Sequence, residues 1–279
     1  MDKNDPNILY VGTETGLYVS FNDGSNWTKI NSNLPVVPVY DIDIKDSNMI
    51  LATHGRAFWI LDDVSAISQL NNDIPDKNFI LEPAPTFRIL PPFGFRLFGT
   101  GPDNGKSYMA SLGSPVLIEK SKDPSGEIKT EYLDSGENPP MGVTISFYLD
   151  NKPNSAELII KDTDGNIVRT FNTEEIEVKE TNVVKASLPS KSTSVLKVNQ
   201  GYNEFLWDMY SESPYKLEGD KLTAGLSGPM VVPGNYDVEL QITNKSKTTT
   251  LNTSIKLLKD PRVSATENDF DAQYCHLYL

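Results

Sequence analysis

His54-Gly55-Arg56 is the stretch whose residue types could most directly do chemistry. A strand that ends in Thr-His and turns through Gly-Arg sets an imidazole beside a guanidinium, a pair able to grip a carboxylate or phosphate. The competing structural reading, which is preferred, pairs Arg56 with Asp62 or Asp63 and lets His54 cap the turn by hydrogen bonding. Glycoside hydrolysis would need two carboxylates about 5–5.5 or 6.5–9.5 Å apart across a sugar-sized cleft. Asp41 and Asp43 alternate on one expected strand and Asp62-Asp63 closes another, which suits a solvated rim or a turn. No catalytic residue is assigned.

Metal and cofactor chemistry finds little to work with. The single cysteine, Cys275, and two histidines, His54 and His276, do not make a zinc set. Asp162-Thr163-Asp164-Gly165-Asn166 has calcium-loop residues, yet an EF-hand needs a distal glutamate and flanking helices, and here IVRTF follows at once as a strand. A hairpin turn is expected there. Tyr148, Phe205, Trp207 and Tyr236 could form a sugar platform, but their alternation is what a dry core also requires, and core is the stronger reading. Phosphate-binding glycine loops, Cys-x-x-Cys pairs and nucleophile elbows do not occur. No metal and no cofactor is expected.

A formal net charge of −13 argues against nucleic acid or an anionic membrane as a dominant partner. No apolar run approaches the roughly 18 residues of a membrane span, and no apolar segment precedes the first expected strand. Any export signal is therefore expected outside this chain.

The elements that position these residues read as strands. With 19 prolines, 18 glycines and many Asn, Ser and Thr residues, the composition suits an all-β chain. ILYVGT, LYVSF, WTKI, VYDIDI, MILATH and AFWIL are short strands separated by Glu14-Thr15-Gly16, Asn22-Asp23-Gly24 and Asp46-Ser47-Asn48 turn signals. ILYVGTETGLYVSF and MILATHGRAFWIL are parallel in construction: an apolar strand ending in Thr, a tight Gly-containing turn, then an aromatic-rich strand. The period of about 40 residues is blade-like. Further on, the prolines of residues 83 to 92 break regular structure, FRILPPFGFRLFG is expected to lie as an ordered strap on a β surface, and one weak hairpin is expected with its turn at Asp123 to Gly126. From VTISFYL to TTTLNTSIKLL at least six alternating strands give the material for a β-sandwich, with Trp207 as a core plug. Thr266, with Asp269 three residues on, starts a short C-terminal helix whose apolar face is Phe270, Tyr274, Leu277 and Tyr278.

SFNDGSNW, residues 20–27, joins two of the early strands. Asn22, Asp23 and Gly24 tolerate left-handed backbone angles, the Asp23 carboxylate can accept backbone N–H bonds, Ser20 can bond across the turn, and Trp27 is expected to pack between neighbouring sheets. The spacing resembles the Asp-box, Ser-x-Asp-x-Gly-x-Thr-Trp, matched here by Ser20, Asn22, Gly24, Asn26 and Trp27, with Asn22 for the usual Asp and Asn26 for the usual Thr. Together with NLPVVPVYDIDI, ATHGRAFWILDD, GYNEFLWDMY, GPMVVPGNYDVELQI and KDPRVSATENDFDAQY, the chain resembles the C-terminal part of large Asp-box repeat proteins, sortilin-like or glycosyl-hydrolase-like. The agreement covers residues 5 to 66 and 138 to 275 and is poor from 99 to 137.

The resemblance implies the last blades of a β-propeller with one Asp-box over residues 1–66, a proline-rich strap and loops over 67–141, an immunoglobulin-like β-sandwich over 142–258, and a linker and helix start over 259–279. A sialidase-type site would require several converging arginines, and the five here, Arg56, Arg88, Arg96, Arg169 and Arg262, are scattered. The functional expectation is a non-catalytic structural and interaction fragment of an extracellular, periplasmic or cell-surface protein. Its partners would be the remaining propeller blades, in the same or another chain, and a protein or glycan ligand. The alternative is an accessory part of a glycoside hydrolase whose catalytic residues lie in other blades.

Overall fold

A computed structural model describes residues 2, 5–30, 33–70, 77–89, 105–111, 114–122, 128–133, 136, 139–173, 195–212, 228–245 and 247–278. In chain order its elements are β1 (Leu9–Thr13), β2 (Gly16–Ser20), β3 (Thr28–Lys29), β4 (Val39–Lys45), β5 (Asn48–Thr53), β6 (Phe58–Leu61), α1 (Ser65–Gln69), β7 (Phe79–Ile80), β8 (Thr86–Arg88), β9 (Gly105–Ser111), β10 (Ser114–Lys122) and β11 (Ile128–Tyr132). They continue with β12 (Val143–Leu149), β13 (Ser155–Lys161), β14 (Ile167–Asn172), β15 (Gly201–Trp207), β16 (Gly234–Asn244), β17 (Lys247–Lys259) and α2 (Glu267–Tyr278). The protein is all-β in character, with several small sheets, one open curled sheet and little helix. No helix among the described residues is long and apolar enough to cross a membrane.

The chain divides into two compact units, one holding β9–β11 and the other holding the remaining elements. In the smaller unit β10 pairs antiparallel with both β9 and β11. One weak hairpin was expected here; the structure has a three-stranded sheet, and the Asp123 to Gly126 turn lies outside the described residues.

The larger unit begins with two three-stranded antiparallel meanders, β1-β2-β3 and β4-β5-β6. Their construction repeats. Thr13 pairs with Gly16 to close the first hairpin, and the Thr53 N–H donates to the Ala57 carbonyl to close the second. Gly16 and Ala57 both have positive φ, 129° and 56°. Superposing the closing pairs makes Leu17 and Val19 equivalent to Phe58 and Ile60, and Gly12 equivalent to Ala52. In the first sheet Leu17 and Val19 are buried, and Gly12 lies so close to β4 that an added Cβ would fall 2.6 Å from the Val39 carbonyl oxygen. The second sheet contributes its other face to this contact: Ile42, Ile44, Met49, Leu51, Trp59 and Leu61 share one core with Leu17 and Tyr10. The two sheets thus stack front to back. Phe58 and Ile60, the counterparts of Leu17 and Val19, are left 74% and 61% exposed.

The rest of the larger unit is two sheets, β15-β12-β7 and β14-β13-β16-β17-β8, whose inward residues form one core. Strict alternation builds it: β12 buries Val143, Ile145, Phe147 and Leu149, and β16 buries Tyr236, Val238, Leu240 and Ile242. Burying a side chain of this size contributes about 1.5–3 kcal/mol. Trp207 is fully buried, meets the Tyr236 ring edge-on at 5.7 Å and donates its Nε1–H to the Tyr210 carbonyl at 3.1 Å. The segment 77–89, whose last three residues are the described part of the expected FRILPPFGFRLFG strap, adds a short strand to each sheet: β7 pairs antiparallel with β12, and β8 pairs parallel with β17. Residues 90 to 99 of that strap lie outside the described residues.

Candidate functional site

The corner after β2 has an arrangement that its sequence pattern anticipates. The Ser20 side chain is fully buried; its Oγ accepts the Gly24 N–H at 2.9 Å and donates to Asn22 Oδ1 at 3.1 Å. Asn22 Oδ1 also accepts the Asn26 N–H at 2.8 Å. Asp23 and Gly24 take φ of 51° and 84°, the left-handed conformation that Gly adopts without a Cβ penalty. The Asp23 side chain is exposed, and the acceptor role in the turn falls to Asn22. Trp27 departs from expectation. It is 43% exposed, and its ring lies with Leu9 against Gly24 rather than between two sheets; β3 begins one residue later. Ser20, Asn22, Gly24, Asn26 and Trp27 are thus brought together as one turn whose visible work is holding β2 to β3.

The second candidate stretch projects from the β5–β6 hairpin. His54, Gly55, Arg56 and Ala57 are all exposed, Thr53 Oγ1 donates to the Ala57 carbonyl at 2.7 Å, and the Arg56 carbonyl accepts Trp59 Nε1–H at 3.0 Å. The turn is tied at both ends through its backbone, and the His54 and Arg56 side chains are left exposed. His54 packs on Tyr40, ring centroids 5.3 Å apart, and its backbone N–H donates to the Pro38 carbonyl. The expected ion pair of Arg56 with Asp62 or Asp63 does not form among the described residues. Asp63 instead accepts the Ser65 N–H at 3.0 Å and the Ser65 hydroxyl, while its own N–H goes to Asn48 Oδ1. Burial first, then the neighbouring Asp63 charge, raises the Asp62 carboxyl above its usual range.

Asp41 and Asp43 are exposed on β4, on the same face as Ala52, Ile50, Phe58 and Ile60 by register. The Asp162 loop is a hairpin turn. Asp162 Oδ1 accepts the N–H groups of Asp164 and Asn166 at 3.0 and 2.8 Å, and Asn166 Nδ2 donates to Oδ2 at 2.9 Å. Those bonds, the Asn166 side chain first, hold the carboxyl below its usual range. Among the described residues no group of three or more His, Cys, Asp or Glu side chains is placed to hold a metal. Of the aromatics weighed as a sugar platform, Phe205, Trp207 and Tyr236 lie in the core, while Tyr148 is half-buried on the outer side, stacked on Phe79 at 5.5 Å.

Two buried polar clusters had no sequence signal. Asp2 is buried and accepts the Tyr10 hydroxyl at 3.0 Å and the Ser68 hydroxyl at 2.9 Å, tying β1 to α1. Burial and the Asp2 charge push the Tyr10 phenol up. Arg88 is buried on β8. Its Nε donates to the Val231 carbonyl at 2.7 Å, Nη2 to Gln273 Oε1 at 3.3 Å, and the guanidinium sits 4.9 Å from the centre of the Phe270 ring. Burial lowers the Arg88 pKa below its ordinary value. Its partners are more than a hundred residues away in sequence, so no local pattern announces them.

No protein-family model matches the chain, and no curated protein and no solved structure matches it at a significant level. The functional argument therefore rests on the geometry.

Proposed function

We propose that this chain is a non-catalytic structural and interaction portion of a larger exported or cell-surface Asp-box propeller protein. In this reading two stacked repeat units are braced by an immunoglobulin-like β-sandwich, and together they present a protein or glycan contact surface. The observation that carries the reading is the stacking sense of the first two sheets. Units that stack front to back, each lying on the same face of the one before, can be extended into a ring, whereas units packed on equivalent faces close on themselves as a pair. The Ser20-Asn22-Gly24 corner supports it, because its side chains are spent on backbone N–H groups of the turn.

The bracing role makes both parts of the larger unit unfold together. Hydrogen exchange read by mass spectrometry at rising denaturant tests it: amides of β5 and of β13 are expected to lose protection at the same denaturant concentration. Loss of β5 protection well before β13 would remove the brace. Turnover of any glycoside by the purified chain, assayed over a panel that includes sialosides, would remove the non-catalytic reading, and with it the accessory-hydrolase alternative, which places the catalytic residues in other blades.

A further inference from the structure

β15 is an edge strand whose one partner in the sheet is β12. The Leu81 N–H donates to the Ser146 carbonyl, so Ser146 and Tyr148 turn their peptide groups towards β7, and Val143, Ile145, Phe147 and Leu149 turn theirs towards β15. By register these meet Trp207, Phe205, Asn203 and Gly201. The N–H and C=O groups of Tyr202, Glu204 and Leu206 therefore face away from β12, and among the described residues none of the six has a hydrogen-bond partner. The chain closes the adjacent edge of the other sheet itself. On β14, whose Phe171 packs on Phe205, the Val168 carbonyl accepts the Glu212 N–H and the Asn172 carbonyl accepts the Leu196 N–H. β15 has none of the devices that guard an open edge: no proline, no lysine and no bulge in its register. It is also held firmly at its start, where the buried Asn203 amide accepts the Asn199 N–H and donates to the Asn199 and Gly201 carbonyls.

An extended peptide is the ligand that fits such an edge. Donors and acceptors that alternate along a strand rising about 3.4 Å per residue are met together by a second strand, whereas sugar hydroxyls would meet them only singly. The exposed side chains add a reading of sequence. Tyr202 is 54% exposed and Leu206 42%, and Glu204 stands between them, its Oε1 accepting the Tyr202 hydroxyl at 3.0 Å. The surroundings are acidic: burial first, with the Glu204 and Asp63 charges adding to it, raises the Tyr202 phenol above its ordinary range. A second copy of the chain is a poor occupant, because two β15 strands paired antiparallel about Glu204 would set their carboxylates opposite each other. We infer that the open edge of β15 takes up an extended segment of a partner protein, running antiparallel, with a lysine or arginine opposite Glu204 and apolar residues opposite Tyr202 and Leu206. Backbone hydrogen bonds hold the segment, and the charge pair fixes its register. The inference gives the protein-contact part of the proposed function a place and rests on that part alone.

A charge-swap experiment on the full 279-residue chain tests it. The probe is an acetylated and amidated peptide as long as β15, in which threonine alternates with valine, lysine and valine. Fluorescence anisotropy is expected to show saturable binding to the wild type, at least about tenfold weaker binding when glutamate replaces the lysine, and the reverse preference in Glu204→Lys. Should that variant lack the wild-type circular dichroism spectrum, Glu204→Gln is expected to bind the two peptides alike. Methylation of the valine and lysine backbone nitrogens, whose N–H groups would face β15, is expected to abolish binding, and methylation of the inner threonine nitrogens to leave it. In NMR-detected hydrogen exchange the Tyr202, Glu204 and Leu206 amides are expected to slow when the peptide is added. Failure of the wild type to bind the lysine peptide, equal affinity for the lysine and glutamate peptides, full binding of the peptide methylated at valine and lysine, or protection of those three amides by self-association without peptide would each overturn the inference. A wild type that refuses the peptide yet retains a glycan on an array, and loses it in Tyr202→Ala, would assign the face to sugar instead. The β5 and β13 amides, read in the same spectra, report on the brace, so loss of the peptide site and loss of the proposed function give different results.

Discussion

The Gln69 side-chain amide grips the Glu82 backbone at both ends: Nε2 donates to the Glu82 carbonyl at 2.9 Å, and the Glu82 N–H donates to Oε1 at 2.7 Å. A primary amide reproduces the donor and acceptor of a peptide group, so the end of α1 is held to the strap as if by one rung of a sheet. Leu81, the next residue back, donates its N–H to the Ser146 carbonyl of β12. The grip therefore joins the stacked sheets to the two-sheet core. Gln69→Ala is expected to cost about 1–2 kcal/mol, at the low end because the pair is exposed. Urea denaturation checks it, and in the Ala variant hydrogen exchange at β5 should separate from that at β13.

Ser20 carries more of the corner after β2 than Asn22 does. Its hydroxyl is fully buried and is the acceptor for the Gly24 N–H. Ser20→Ala leaves that donor without its partner and is expected to cost about 1–3 kcal/mol. Asn22→Asp keeps an acceptor for the Asn26 N–H and is expected to be close to neutral, while Asn22→Ala should cost about 1 kcal/mol. Thermal melts of the three variants give the order.

Gly12 is a matter of space. An added Cβ would lie 2.6 Å from the Val39 carbonyl oxygen and 2.8 Å from Val39 Cγ1, distances that require the two sheets to move apart. Gly12→Ala is expected to destabilise by about 1–3 kcal/mol despite the better strand propensity of alanine. Gly136→Ala, with open space around the added carbon, serves as the control and should leave the denaturation midpoint unchanged.

Arg88 holds α2 against the two-sheet core through Val231, Gln273 and Phe270. Arg88→Met fills the space but strips the Val231 carbonyl of its donor, with an expected loss of about 1–3 kcal/mol. Arg88→Lys keeps a charge without the planar fork that reaches the strand and the helix at once, and should rescue little. Faster proteolysis within 267–278 in both variants would show the helix detaching first.

Acid should act through a few carboxylates. Hydrogen bonds from Arg262, together with its charge, lower the Asp260 pKa from 3.8 to about 2, and the Thr266 N–H and hydroxyl lower that of Asp269. Asp162 shifts in the same direction. A folded-state pKa below the unfolded value gives stability that is present above about pH 3.8 and lost as pH falls through about pH 2. The melting temperature of the wild type is therefore expected to fall across that window more steeply than that of Asp260→Asn. Parallel curves for the two proteins would contradict the assignment.

Much of this structure was legible residue by residue. Thr266 and Asp269 form the reciprocal cap that their spacing announced, with the Asp269 N–H on Thr266 Oγ1 and the Thr266 N–H on Asp269 Oδ2. Trp207 is the core plug, and Asp162 to Asn166 is the hairpin turn. The misses share a cause. β7 and β8 have two and three residues, too few for any period to show, and they are strands because open sheet edges receive them. Arg56 was expected to find Asp62 or Asp63, yet Asp63 is engaged by the Ser65 N–H and hydroxyl, a competition that adjacency in sequence does not reveal.

The sequence alone decided where this chain turns, which strands alternate, and that the Thr13 and Thr53 hairpins are versions of one unit. Only the tertiary structure decided which face of each hairpin is covered. Phe58, Trp59, Ile60 and Leu61 are all apolar, so a period of two residues separates the two faces without saying which one another sheet will occupy. That choice belongs to the stacking of whole sheets, which buries Leu17 and leaves its counterpart Phe58 in water.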